Sequence, residues 1–138
     1  MDETLIHSVF QPVKDMDFIA HVPAKDGVSV SQIYIYKRPG VDMFLRRVSQ
    51  LFEIVIFTAS INKYADAIMN KLDPTQLCSY RLYREHCTMY SHSKGNFFLK
   101  DLGKLGRDMK DVFILDNSPI SYALHTENAV PIKTWIDD

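Results

Sequence analysis

Three short polar stretches carry the side chains able to do chemistry: Asp2-Glu3-Thr4 at the start, Thr58-Ala59-Ser60, and Asp116-Asn117-Ser118, the last two each ending an apolar run. In an open parallel sheet, ligands gather outside the carboxyl ends of the strands, so such tips are where a site is built. Each alone has an ordinary reading: Asp2 as a terminal charge, Thr58 or Ser60 as a helix N-cap, Asp116 or Ser118 as a cap or turn residue. Their combination says more. Carboxylates at two tips and a hydroxyl at a third, with Lys100 upstream of the last strand, supply the parts of a magnesium-dependent phosphatase.

Other combinations carry less. His86-Cys87 with His92 matches no closed four-ligand zinc spacing. Cys87 lacks the phosphate-binding loop of thiol phosphatases and reads as a buried strand residue.

The elements that must position the tips follow from periodicity. Met16–Val22 and Val28–Tyr36 flank Lys25-Asp26-Gly27, whose Asp-Gly pair predicts a hairpin. Val41, Phe44, Leu45, Val48 and Leu51 recur three and four apart, opposite Arg46, Arg47 and Gln50. That spacing predicts an amphipathic helix entered through Pro39. Phe52–Phe57 is a continuous apolar run stopped at Thr58, as expected of a central parallel strand covered on both faces. Tyr64, Ala65, Ile68, Met69 and Leu72 give a second helix, ended by Asp73-Pro74. Arg81–Tyr83, Cys87–Tyr90 and Asn96–Leu99 read as short strands, and Val112–Leu115 as another buried one. No terminal helix follows Trp135. The pattern is α/β with an inserted hairpin, in a single domain over residues 1–138.

Composition bounds the partners. With 138 residues, 46% of them hydrophobic, and 16 Lys+Arg against 17 Asp+Glu, the chain can bury a core and is neither a disordered tail nor a polyanion binder. A net charge of −1 offers no global field for nucleic acid or an anionic membrane, so phosphate recognition has to be local. Two cysteines, Cys78 and Cys87, are too few for a disulfide framework and point to a reducing compartment. No run approaches the ~20 apolar residues of a bilayer span, and the start lacks the features of a signal peptide.

In order along the chain, Asp2-x-Thr4, Ile54-Val-Ile-Phe-Thr58-Ala-Ser60, Lys100-Asp101-Leu102 and Ile114-Leu-Asp116-Asn117-Ser118-Pro119 resemble the motifs of the haloacid dehalogenase superfamily. More narrowly, Lys37-Arg38-Pro39-Gly40, Tyr64-Ala65-Asp66, Tyr83-Arg84-Glu85-His86-Cys87, Leu105-Gly106-Arg107-Asp108 and Asn128-Ala129-Val130-Pro131 look like the small carboxy-terminal-domain phosphatases, the branch that includes the NLI-interacting-factor-like and Dullard enzymes. The resemblance implies a Rossmann-like parallel sheet with helices on both faces and a small inserted β-hairpin or sheet. It also implies a protein serine/threonine phosphatase that forms an aspartyl-phosphate with Mg2+.

By that resemblance the catalytic residues are Asp2, Thr58, Lys100 and Asp116, with Asp2, Asp116 and Asn117 on the metal. Asp2 fills the second Asp of the family's Asp-x-Asp-x-Thr motif, the general acid/base, and Thr4 its Thr. The first Asp, the nucleophile, would fall one residue before Met1. The expectation is therefore of a domain truncated at both ends, lacking a central strand, inactive and marginally stable as given. Phe10, Val22, Ile33 and Ile61 fall where the family builds an apolar pocket for a proline-containing peptide, and Arg84 and Thr4 where it contacts substrate. Val22 and Ile33 have an equally good reading as core. The implied partner is a phosphorylated protein segment such as the Ser-Pro repeats of the RNA polymerase II tail, bound by a monomer in nucleus or cytoplasm, with no direct nucleic-acid or membrane contact. Two other functions fit the same fold. One is a non-catalytic peptide-binding module like a mitochondrial import-translocase subunit. The other is a small-molecule phosphatase, disfavoured because the insertion is no lid-sized cap.

Overall fold

The expected hairpin acquires a third strand. In the computed structural model, which describes residues 1–137, β1 (Ile6–Val9), β2 (Phe18–Pro23) and β3 (Val30–Lys37) form an antiparallel sheet in the order β1-β3-β2. The connection between β2 and β3 is longer than a two-residue turn. The Asp26 carboxylate accepts from the backbone nitrogens of Val28 and Ser29, and Gly27 takes the left-handed φ of +71° that the bend needs. Alternation along β3 sends Ile33 and Ile35 into the core opposite Ala20 of β2, as a period of two requires.

Helix α1 (Val41–Val48) begins after Gly40, whose φ is +84°, and is shorter than its apolar stripe: Val41 and Leu45 are buried, whereas Leu51 lies past the helix end and is exposed. Then β4 (Ile54–Phe57), α2 (Asn62–Leu72) and β5 (Cys78–Leu82) make a β-α-β unit with β4 and β5 parallel. The predicted stripe of α2 is the one observed. Ala65, Ile68, Met69 and Leu72 are all buried, and covering Ile68 and Met69 contributes about 1.5–3 kcal/mol each relative to exposure. A hairpin of β6 (Thr88–His92) and β7 (Gly95–Leu99) follows. Cys87 precedes it as the residue after a 3-10 turn at Arg84–His86, so it is not a strand residue. Last, β8 (Ile114–Asp116) pairs in parallel with β9 (Ala129–Pro131), a strand too short to register as a periodic run.

Among the described residues the parallel part of the fold thus consists of two pairs, β4-β5 and β8-β9. Between β4 and β8 runs an apolar groove of about 400 Å³, floored by Phe44, Leu45 and Val48 of α1 and opening toward Met1. Of β4 only Ile56 is buried; Ile54, Val55 and Phe57 are half-buried against the groove, where both faces had been expected to be covered. The larger core joins the inserted sheet to α1, α2 and β4, and a smaller one gathers Leu102, Ile114 and Tyr122 beneath β8.

Candidate active site

The chain leaves β4 through Thr58, which continues the parallel ladder by donating its N–H to the Leu82 carbonyl at 2.9 Å. The Thr58 side chain is 2% exposed, and its Oγ1 accepts the N–H of Ser60 at 3.1 Å, a hydroxyl turn that swings the chain out of the strand. With that oxygen used as an acceptor, the Thr58 hydroxyl proton is left to donate outward. Ser60 in turn donates Oγ–H to Asp2 Oδ2 at 3.1 Å, and Tyr64, in the first turn of α2, donates its hydroxyl to Asp2 Oδ1 at 2.7 Å. Both oxygens of Asp2 are therefore fixed from the β4-α2 connection.

The second half of the site comes from the ends of β7 and β8. Lys100 directly follows β7, Asp116 closes β8, and Lys100 Nζ donates to Asp116 Oδ2 at 2.5 Å. The other oxygen, Asp116 Oδ1, accepts from the Ser118 N–H at 2.8 Å. Asn117 is held on two sides: its Oδ1 accepts from Thr4 Oγ1 at 3.0 Å and its Nδ2 donates to Thr134 Oγ1 at 3.0 Å. Met1 joins the halves. Its carbonyl accepts the Thr4 N–H at 3.3 Å, and Thr4 carries the contact to Asn117, so the start of the chain bridges the two halves.

The residues expected to bind substrate divide. Phe10 is 69% exposed and Ile61 is exposed beside Ser60, so both present apolar surface to solvent. Arg84 is exposed, its Nε donating to the Ala59 carbonyl at 2.7 Å and its guanidinium lying 5.0 Å over the Phe98 ring. Val22 is half-buried and packed on the core, and Ile33, only 3% exposed, lies within it, because β3 turns that position inward. Its side chain offers a peptide nothing to touch. Thr4 is likewise buried, and its hydroxyl donates to Asn117 Oδ1. The sequence pattern gave Ser60 only a capping role, Tyr64 only a place in the α2 stripe and a family motif, and Ser8, 2.6 Å from the Tyr64 hydroxyl, none. The four-residue step from Ser60 to Tyr64 across a helix start was the available signal.

Cys87 also borders the site, its thiol 3.7 Å from the Thr58 carbonyl. Burial pushes that thiol up, while Lys100 and Arg84 pull the other way.

The donor set suits a hard cation. Asp116, Asn117 and the Asp2 carbonyl offer only oxygen, and among the described residues no three His, Cys, Asp or Glu side chains close a cage. Magnesium accepts that arrangement, since it is commonly held by one or two carboxylates and keeps water or phosphate in its other positions.

Carboxylates, a hydroxyl and an ammonium thus sit at strand ends of a mixed α/β frame, a fold of the haloacid dehalogenase-like class. The chain belongs to the NLI interacting factor-like phosphatase family, whose model matches residues 1–138. It is 52% identical over 138 residues to the probable C-terminal domain small phosphatase of Dictyostelium discoideum, covering all of this chain and 43% of that one. To the human carboxy-terminal domain RNA polymerase II polypeptide A small phosphatase 1 it is 51% identical over 138 residues, covering 51% of the relative. The chain thus spans about half the length of the curated relatives it matches. The solved structure of Fcp1, an essential RNA polymerase II CTD phosphatase, superposes with a TM-score of 0.79 at 22% identity, over 98% of this chain and 40% of that one, and shows the shared fold. No helix among the described residues is long and apolar enough to cross a membrane.

Proposed function

We propose that this domain is the catalytic domain of a magnesium-dependent phosphoserine/phosphothreonine protein phosphatase that works through an aspartyl-phosphate. The observation that carries the reading is the Lys100–Asp116 pair, side chains about 5% exposed, linked through Asn117 and Thr4 to the segment of Asp2, which Ser60 ties in turn to the Thr58 tip. In the family motif the first Asp is the nucleophile and Asp2 fills the second, the general acid/base. Asp2 gives its proton to the departing seryl oxygen and then takes one from the attacking water. Thr58 donates its free hydroxyl proton, and Lys100 an ammonium proton, to phosphoryl oxygens, an arrangement fixed before substrate arrives. Magnesium, held by Asp116, Asn117 and the Asp2 carbonyl, would offset the charge of carboxylate meeting phosphate.

The substrate we assign is an extended Ser-Pro-type phosphopeptide of the kind found in the RNA polymerase II tail, lying over Phe10 and Ile61 toward Arg84. A proline-rich segment arrives already extended and loses little entropy on docking to such apolar surface. The human relative named above carries the carboxy-terminal domain of RNA polymerase II polypeptide A in its name, which supports such a substrate and with it a nuclear or cytoplasmic setting.

The test is turnover of p-nitrophenyl phosphate and of a phosphoserine-proline peptide by the chain extended with an apolar segment ending in Asp. Turnover is expected with Mg2+ and is lost on chelation. Thr58→Val lowers it by about a hundredfold, the usual cost of one such donor. Peptide binding without any turnover would assign the domain to the non-catalytic class instead.

A further inference from the structure

The Asp2 carboxylate is held on both oxygens by hydroxyl groups. Tyr64 Oη lies 2.7 Å from Asp2 Oδ1, Ser60 Oγ 3.1 Å from Oδ2, and Ser8 Oγ 2.6 Å from Tyr64 Oη. A carboxylate only accepts and a phenol has one proton. With Asp2 ionised, Tyr64 therefore donates to Asp2, and Ser8 must donate to the Tyr64 oxygen.

We propose that Tyr64 is a positioning residue for the acid/base Asp2, and that Ser8 in turn orients the Tyr64 hydroxyl; the inference rests on the function proposed above. The chain is rigidly mounted. Tyr64 sits one residue before the buried Ala65 of α2, and Ser8 is held in β1 by its register with Ile35. Burial and then the Asp2 carboxylate push the Tyr64 hydroxyl far above the usual phenol range, so it keeps its proton wherever the protein is folded.

A general acid matters in proportion to how badly the leaving group needs a proton, and this separates positioning from simple contact. With the extended chain in excess, single-turnover rates are compared for the phosphoserine peptide, which expels an alkoxide, and p-nitrophenyl phosphate, which expels a stable phenolate. Tyr64→Phe is expected to slow the peptide reaction about tenfold to a hundredfold at saturation, the aryl reaction less than about threefold, with half-saturation unchanged. Ser8→Ala gives a smaller loss of the same kind. Weaker peptide half-saturation at an unchanged saturating rate, or equal losses on both substrates, would overturn the assignment. If the extended chain turns over neither substrate, the function fails first, and the contact is then judged in the 138-residue chain itself. A protected low-field NMR resonance from the Tyr64 hydroxyl should be present and should vanish in Asp2→Ala; its absence, or its persistence in that variant, overturns the pairing.

Discussion

Lys100 and Asp116 reach one another from the ends of two different sheets, their charged atoms 2.5 Å apart and each side chain about 5% exposed. Removing two charges from water costs several kcal/mol per ion, so this pair is weak as a stabilising device and strong as a constraint. Lys100→Met leaves the Asp116 carboxylate buried without its partner and is expected to destabilise the chain by about 3–5 kcal/mol. The double variant Lys100→Met/Asp116→Leu removes both charges and should recover most of that loss in urea titrations. Equal losses in the single and double variants would mean that the carboxylate is solvated in solution.

Asp73 closes α2 more firmly than its exposed-looking Asp-Pro sequence suggests. It is 3% exposed, and its two oxygens accept the backbone N–H groups of Leu77 and Cys78 at 2.8 and 2.9 Å, tying the helix end to the start of β5. Hydrogen bonds to a charged acceptor are worth about 1.5–3 kcal/mol each, so Asp73→Ala should cost about 3 kcal/mol or more and Asp73→Asn less. The shift of the urea midpoint measures both; an unchanged midpoint would remove Asp73 from the supports of β5.

What the residue pattern revealed, and what it hid, divides along the range of the interactions. Helix α2 was legible because its stripe is local, and so were the tips at Thr58 and Asp116, since an apolar run that stops in polar residues announces a strand end. Strands β1 and β9 were not, because four and three residues are too few to show a period, and each exists only through a distant partner, β3 and β8. The inward turn of Ile33 depends on register against Ala20, which alternation alone leaves open between two faces. The contact of Tyr64 with Asp2 and that of Ser8 with Tyr64 were not legible because they span 62 and 56 residues, distances at which only the folded chain decides.

Cys78 should behave as an inert thiol. It is 8% exposed, and burial together with the neighbouring Asp73 carboxylate pushes it up to about 12. An unfolded thiol ionises near about 8.5, so the native state is the one that keeps the proton between these values. This contribution to stability is complete below the unfolded value and falls as pH rises toward the folded one. Native protein at neutral pH should therefore resist iodoacetamide at Cys78, and Cys78→Ala should flatten the loss of melting temperature between about pH 8 and 10. Rapid native labelling at Cys78 would contradict its placement.

On the acid side the sensitive group is Asp101, next to Lys100 in sequence and the cap of the 3-10 turn Leu102–Leu105. Its Oδ1 pairs with His125 Nε2 at 2.8 Å and accepts the Gly103 N–H at 3.0 Å. His125 first, and then the Gly103 N–H, hold the carboxyl below the usual carboxylate range. A folded value below the unfolded one means that the unfolded chain binds the proton first as pH falls. The contribution is thus present above about 3.9 and is lost as pH drops through the folded value. Melting temperatures from pH 6 to pH 3 should fall less steeply for Asp101→Asn than for the unaltered chain. The same carboxylate leaves no room for a side chain beneath it, since a Cβ on Gly103 would stand 3.1 Å from Asp101 Oδ1. Gly103→Ala should therefore displace that oxygen and reproduce part of the flattened acid limb without altering any charge. Parallel melting curves for all three chains would show that Asp101 makes no such bonds in solution.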